Sequence, residues 1–437
     1  SSSSPYLTIY NNNLASVSQP YSVALVSGDN TISYSNIPSQ IIPSSVFVVD
    51  TDASTQIQKQ EYVFDTFSSD ALLNRHLGET ISLVVDNGNA VQSISGVLRS
   101  FQNDVILETA SGIQSISRSH VVSMQFNDAA GLSTQPSLVW DIRTTNAGQH
   151  ELQLSYLTEG MAWQTNYAIE YDESASTLNL HGWADVSNST DFTFDNAKLS
   201  LVAGQVNRKY SSPPVPYYAD NRLAYGVAAA AESAPSSFGS SAVSEYHRYD
   251  LTFPTTIKSH SSQQLNLLES ENVPVTRELV FDSYSAGAVK AILKFKNEKS
   301  AGLGVPLPSG IARVYTNVVN AGRTFVGEDA VENTPEDKEV ELQIGEVFDV
   351  RGERKIIDSQ YPSKGCTRSN VEVKLTNAKS RVESVKVVEH TYGDTQISGN
   401  NFPFEIKDAQ TFEFVVPIPS KSTQTLKFTT LSCYPQY

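Results

Sequence analysis

The sequence predicts an all-β, multi-domain fold: β-sandwiches with an inserted small SH3-like or Sm-like barrel and an Ig-like C-terminal domain. Three observations predict it. Apolar and polar residues alternate from end to end of the chain, the period of a strand with one buried face. Convincing helical spacing is nearly absent. Turn residues such as Asn11-Asn12-Asn13, Gly28-Asp29-Asn30 and Asn87-Gly88 punctuate the alternation at short intervals, which marks strand ends. At about 100 to 200 residues per domain, 437 residues allow two to four domains.

Residues 1–65 read as the N-terminal strands of a sandwich. The runs at 6–10, 22–26, 31–34, 45–49 and 61–64 carry the β-branched and aromatic side chains that fit a half-buried pleat. Residues 66–128 read as the small barrel: a short helix over Asp70 to Leu77, then strands over 81–85, 91–101, 105–109 and 113–126. Residues 129–300 read as the main sandwich. Leu152, Leu154 and Tyr156 fall on one face there and Glu151, Gln153 and Ser155 on the other, as in a sheet with one wet side. Within it, 211–244 is a low-complexity insertion rich in Pro, Ala and Ser, whose composition cannot build a core. Residues 301–365 read as a loop-rich acidic connection, and 366–437 as the Ig-like domain, with Cys366 near its entry and Cys433 near its exit.

Composition narrows the function classes. Charged residues make up 18%, below the usual share of about 25%, so neutral Ser, Thr, Asn and Gln cover the surface in an extracellular style. The 31 Lys and Arg against 47 Asp and Glu leave a net charge of −16, which repels nucleic acid and anionic membranes. The barrel segment is also acidic, with Arg75, Arg99 and Arg118 against Asp70, Glu79, Asp86, Asp104, Glu108 and Asp128. An RNA groove would be basic, so the segment reads as a spacer or interaction module. No apolar run reaches the roughly 18 residues that span a bilayer, so no membrane insertion is expected. A Ser at position 1 fits a processed, exported chain or a trimmed one. Cys366 and Cys433 are the only cysteines; in an exported protein they form a disulfide, and in a cytosolic one they stay free.

Catalytic signatures are missing. The seven His stand singly, and no HExxH, paired-Cys zinc set, Walker-type loop or GxSxG occurs. His181 and Asp185 share a strand face but sit about 13 Å apart at roughly 3.3 Å per residue, too far for an acid/base pair. Neither a cofactor nor a metal is expected. The acidic run Gly327 to Glu341 offers oxygen atoms suited to calcium, but its spacing matches no calcium loop, and a solvated face is the simpler reading. Trp140, Trp163 and Trp183 are either core or a carbohydrate-stacking platform. Asn188-Ser189-Thr190 is an N-glycosylation sequon, of a kind chance supplies in a chain this rich in Asn and Ser.

Six blocks carry a resemblance. They are Leu7 to Asn11, Tyr156 to Trp163, Leu199 to Gly204, Leu307 to Tyr315, Phe325 to Asp329 and Gly345 to Val350. In this order they resemble the proteins called domain of unknown function 4139. Relatives described as mucoidy-inhibitor homologues add an amino-terminal domain and a coiled coil, which this sequence does not show. The resemblance implies a β-rich, often exported protein and supplies no activity and no catalytic residues.

The expectation is therefore a secreted, non-enzymatic structural protein whose copies build an extracellular filament or surface layer, pairing strand edges by β-augmentation. The contacts expected are Pro5, Tyr6, Leu7 and Ile9 at the start, and Pro213, Pro216, Tyr217, Tyr218 and Tyr225 in the low-complexity insertion. An ordinary intramolecular strand is the alternative for the first set. A monomeric adhesin or carbohydrate-binding protein is the alternative function, and a hydrolase with dispersed acids a third.

Overall fold

A computed structural model describes residues 4–50, 54–64, 68–88, 90–128, 135–204, 206–207, 238–243, 246–284 and 287–434. Strands dominate them, as the alternation requires.

The Tyr6–Tyr10 strand lies in the middle of an eight-stranded sheet. It pairs antiparallel with Leu14–Leu25 and parallel with Phe194–Ala203, so first and distant segments meet early in the fold. Beyond Leu14–Leu25 come Gly148–Thr158 and Phe47–Asp50. A three-stranded sheet of Gly28–Tyr34, Ser137–Thr144 and Thr55–Val63 stands beside it. A further run, Gly322–Val331, Gly310–Val318, Met161–Asp172, Thr177–Asn188 and Ser261–Asp282, forms one half of a thirteen-stranded sheet. One apolar core joins all three sheets and contains Leu7, Ile9, Trp140, Tyr156, Trp163 and Tyr167. Each large aromatic buries about 150–250 Å², contributing on the order of 3–6 kcal/mol before ordering costs.

The small module has the expected short helix followed by strands, with two corrections: the sheet stays open, and the run 113–126 is two strands, Gly112–Ser117 and Val121–Gln125, parted by a turn at Arg118–His120. Its helix spans Ser69–Arg75, and Ser68 caps it by accepting from the Ala71 amide at 3.0 Å, which satisfies an orphan donor of the first turn. Five strands follow in the order Val121–Gln125, Thr80–Asp86, Val91–Ser100, Asp104–Thr109, Gly112–Ser117, over a core of Leu73, Ile81, Leu83, Leu98, Val105 and Leu107. The sheet does not close into a barrel. The last strand is five residues long and bulged between Val121 and Ser123, and it pairs with Thr80–Asp86 rather than with Gly112–Ser117.

The C-terminal sandwich starts far before residue 366. Its core draws Leu279 and Phe281 from Ser261–Asp282, Val289 from Ala288–Lys296 and Val350 from Glu339–Ser363, besides Val373, Phe414 and Phe428 from the last segment. The supposed acidic connection 301–365 is accordingly sheet: Gly310–Val318, Gly322–Val331 and the 25-residue strand Glu339–Ser363. Its acids alternate with apolar residues, as in Glu339-Val340-Glu341-Leu342, where Val340 and Leu342 are buried and the two Glu exposed. Two long strands, Ser261–Asp282 and Glu339–Ser363, serve the main core with one half and the C-terminal core with the other. The strand Ala288–Lys296 pairs with both. No described helix is long and apolar enough to cross a membrane.

Candidate functional site

Cys366 and Cys433 form a disulfide between the first residue of one strand and the last of its neighbour, closing a separation of 67 residues. The pairing of the two cysteines is as expected. It ties the C-terminal strand to the tip of the hairpin made by Glu339–Ser363 and Cys366–Asn377.

The first set of assembly contacts is corrected. Leu7 and Ile9 are fully buried, and neighbours occupy both edges of their strand, so this segment has no edge to offer another chain. Tyr6 is half exposed, but Lys198 lies 4.7 Å above its ring. Pro5 is partly buried, and its carbonyl accepts from the Lys198 amide at 2.8 Å. Pro213, Pro216, Tyr217, Tyr218 and Tyr225 lie outside the described residues.

Asn188 is corrected as well. It is 1% exposed and donates its amide to the carbonyls of Phe192 and Lys258 at 2.9 and 3.0 Å, while its own oxygen accepts from the Thr190 amide and hydroxyl. A glycan cannot be attached to that nitrogen in the folded chain. The three Trp do not form one platform: Trp140 and Trp163 are core, and Trp183 alone is 37% exposed. His181 faces Glu269 at 3.2 Å, whereas Asp185 accepts from Asn166. Three acids of 327–341 go to separate partners. Glu328 pairs with Arg313, Asp329 accepts from the Gln343 amide and Glu341 pairs with Lys294.

A cleft of about 970 Å³ opens where Met161–Asp172, Thr177–Asn188 and Gly310–Val318 meet the turns after Tyr10 and Ala203. Its wall at Ser309 and Gly310 is fixed from below. Tyr249 and Tyr167 donate to the carbonyls of Pro306 and Pro308 at 2.9 and 2.6 Å, and burial pushes both phenols up, which keeps them donors. Gly310 lets its strand approach Thr165, since a Cβ there would stand 2.1 Å from the Thr165 carbonyl oxygen. The turn at Asn11 is held by its amide, which donates to the Trp163 carbonyl at 3.0 Å.

A chain of side chains across four strands runs to the cleft, and its last two members, Asn166 and Asp185, line it. Glu328 pairs with the Arg313 guanidinium at 3.1 Å, Arg313 donates to the Asn166 oxygen at 3.0 Å, and Asn166 donates to Asp185. The second carboxylate oxygen of Asp185 is buried with no hydrogen-bond partner among the described residues. Asp185 and Glu332 line the cleft beside amides and hydroxyls, with neither Lys nor Arg among the described lining residues. Trp183 lies directly opposite Asn166 in the strand register. Sequence reading missed this site because it looked for motifs. The available signal was period-two polarity: Gln164 and Asn166 alternate with the buried Trp163, Thr165 and Tyr167.

A further feature is an open strand edge in the C-terminal sandwich. Past Gly352, Glu339–Ser363 pairs with Cys366–Asn377 on one side and with no other described strand. Ile356, Ile357 and Tyr361 are exposed on this stretch, Tyr361 at 78%.

Another buried pair is structural. His150 meets Asp50 at 2.7 Å with both side chains 3% exposed, and its other ring nitrogen meets the Asn146 carbonyl at 3.1 Å, so neither ring nitrogen is open to a substrate.

No curated protein matches the chain significantly. The family model described as Domain of unknown function (DUF4139) matches residues 152–436, which takes in the cleft strands, both long shared strands and the disulfide. The chain is a member of the domain of unknown function 4139 family.

Proposed function

We propose that this is a secreted, non-enzymatic structural protein whose copies associate through the open sheet edge of residues 353–363 into an extracellular polymer. That edge carries the reading. Unpaired main-chain groups along an exposed strand are a template for another strand, and natural proteins normally blunt such an edge with charge, Pro or a covering element. Here Glu353, Arg354, Lys355 and Asp358 place charge on the edge and Pro362 stands near its end, while Ile356, Ile357 and Tyr361 between them stay exposed. A net charge of −16 keeps copies apart elsewhere. Arg351, Arg354 and Lys355 against Glu353 and Asp358 make this strand a place of weak repulsion between acidic molecules. The disulfide supports an oxidising compartment, and the absence of the common catalytic motifs supports a non-enzymatic role.

Sedimentation velocity and negative-stain imaging of the full chain test it. The expected result is concentration-dependent, elongated assembly that Tyr361→Lys with Ile357→Lys abolishes. A dispersed monomer at millimolar concentration overturns it, as does assembly untouched by the double substitution.

A further inference from the structure

A polymer needs two different surfaces on each copy. An edge that pairs with its own counterpart across a two-fold axis closes a dimer and stops, whereas two unlike edges meeting head to tail continue into a filament. The edge at residues 353–363 is one surface. The small module carries a second edge with the properties that the first requires.

Gly112–Ser117 is the last strand of the module's five-stranded sheet. It pairs with Asp104–Thr109 along one side, in a register without a bulge, and with no other described strand. Its main-chain groups on the other side are a template for a further strand, and the usual guards are missing: the run Gly-Ile-Gln-Ser-Ile-Ser has no charge and no Pro. The opposite edge of the same sheet, Val121–Gln125, is bulged between Val121 and Ser123, which spoils it as a template. Ile116 enters the module's core, while Ile113, on the other face with Ser115, is 74% exposed. A strand laid along this edge would bring its own side chains against Ile113, and the exposed Ile356, Ile357 and Tyr361 of the first edge are of the aliphatic and aromatic kind that pairs well across strands.

Charge selects between the possible pairings. The hairpin of residues 351–377, which carries the first edge, has six Lys and Arg against three Asp and Glu, in a chain whose net charge is −16. The module, residues 66–128, has three Arg, no Lys and six acids. Two of its Arg are taken up inside it, Arg99 by Glu108 and Arg118 by Asp70. Asp104 stands on the strand next to the edge and accepts from Ser115 at 3.1 Å. A basic hairpin therefore attracts an acidic module, whereas hairpin against hairpin and module against module both repel. The mixed pairing is favoured over either self-pairing.

We infer that Gly112–Ser117 of one copy adds as a strand to residues 353–363 of the next, joining the small module of each molecule to the C-terminal sandwich of its neighbour. The inference rests on the assembly reading above and names the partner of that edge.

Two blocked chains test it. Ile113→Lys with Ser115→Lys places charge on the module edge at two exposed positions, and Tyr361→Lys with Ile357→Lys blocks the hairpin edge. Sedimentation velocity is measured on the wild type, on each blocked chain and on their equimolar mixture, with circular dichroism to show that both blocked chains are folded. Each blocked chain alone is expected to sediment as a monomer. Their mixture is expected to give a one-to-one dimer that grows no further, because one free edge of each kind remains. Amide exchange in residues 112–117 and 353–363 of the wild type is expected to slow at least tenfold on assembly. A chain with Ile113→Lys and Ser115→Lys that still forms polymers or dimers overturns this inference and leaves the assembly reading standing. So does a mixture of folded blocked chains that stays monomeric while the wild type assembles. A wild-type chain dispersed at millimolar concentration, or assembly untouched by Tyr361→Lys with Ile357→Lys, overturns the assembly reading and this inference with it.

Discussion

The side-chain amide of Asn188 donates to the carbonyl of Lys258, seventy residues further along the chain, at 3.0 Å. The same device recurs twice. Asn297 donates to the carbonyls of Val305 and Pro335 and accepts from the Gly304 amide. Asn377 donates to Arg381, Ile418 and Pro419 and accepts from the Lys379 amide. Each of the three is 0–1% exposed, and each stands at or just past the end of a strand. A side chain with two donors and an acceptor satisfies loop carbonyls that would otherwise be buried unpaired. Asn188→Ala should therefore cost about 2–4 kcal/mol, because each orphaned buried group costs about 1–3 kcal/mol. Urea unfolding of the variant measures this, and a loss under 1 kcal/mol would contradict the anchoring role. Peptide mapping of folded protein from a glycosylating host should find Asn188 unmodified.

Gly310 is the second test of how the cleft is built. A methyl group there would press on the Thr165 carbonyl, 2.1 Å from the Cβ position, and backbone cannot yield as a flexible side-chain end does. Gly310→Ala should separate Met161–Asp172 from Gly310–Val318 and destabilise the chain by about 2–4 kcal/mol, within the range of strained core changes. Thermal unfolding followed by circular dichroism checks it. Gly322→Ala is the comparison: no atom lies within 4 Å of a Cβ there, and its φ of +69° supplies backbone strain without a clash. The loss at Gly322 should be the smaller of the two.

The junction between the two sandwiches should make stability depend on acid. Glu383 is 6% exposed. Burial alone would raise its pKa, but hydrogen bonds from Lys379, Arg277 and Arg381 and the charge of Arg277 outweigh that and hold it down to about 2. A carboxylate depressed in the folded state contributes stability that is complete above its unfolded value of 4.5 and lost as pH falls through the folded value. The expected window is therefore pH 4.5 down to about 2. After screening, the contribution is about 1–2 kcal/mol. Urea midpoints measured across that range should fall for the wild type, and Glu383→Gln should remove part of the slope. An identical slope in the variant would contradict the assignment.

Much of the architecture was legible because alternation is a direct consequence of one-sided burial. The runs at Leu152, Leu154 and Tyr156, the helix before Gly78 and the cysteine pairing all follow from local rules. What was not legible depends on which distant segment lies alongside. Leu7 and Ile9 have the composition of an edge strand or a central one; only the parallel partner Phe194–Ala203 decides between them. Glu339 to Ile344 alternates perfectly, yet its charge density hid the strand. The cleft was hidden for the same reason as the domain boundary. Asn166, Asp185 and Arg313 come from three strands, and no spacing in one stretch of sequence predicts their meeting.

The disulfide gives the last test. Cys366 begins its strand and Cys433 ends the neighbouring one, in direct register, and Asp394 pairs with Cys433 from the other side. The bridge therefore fastens three strands at the end farthest from the main core, where fraying would begin. Closing a loop of 67 residues should stabilise by about 4 kcal/mol on chain-entropy grounds, with measured values between about 0 and 5. Cys433→Ser with Cys366→Ser should lower the thermal midpoint and raise amide exchange first in residues 422–433 and 394–398, leaving the exchange of Leu7 and Ile9 unchanged below the global transition. Uniform loss of protection across the chain would mean that the two sandwiches unfold as one unit, the shared strands Ser261–Asp282 and Glu339–Ser363 transmitting the loss from one core to the other.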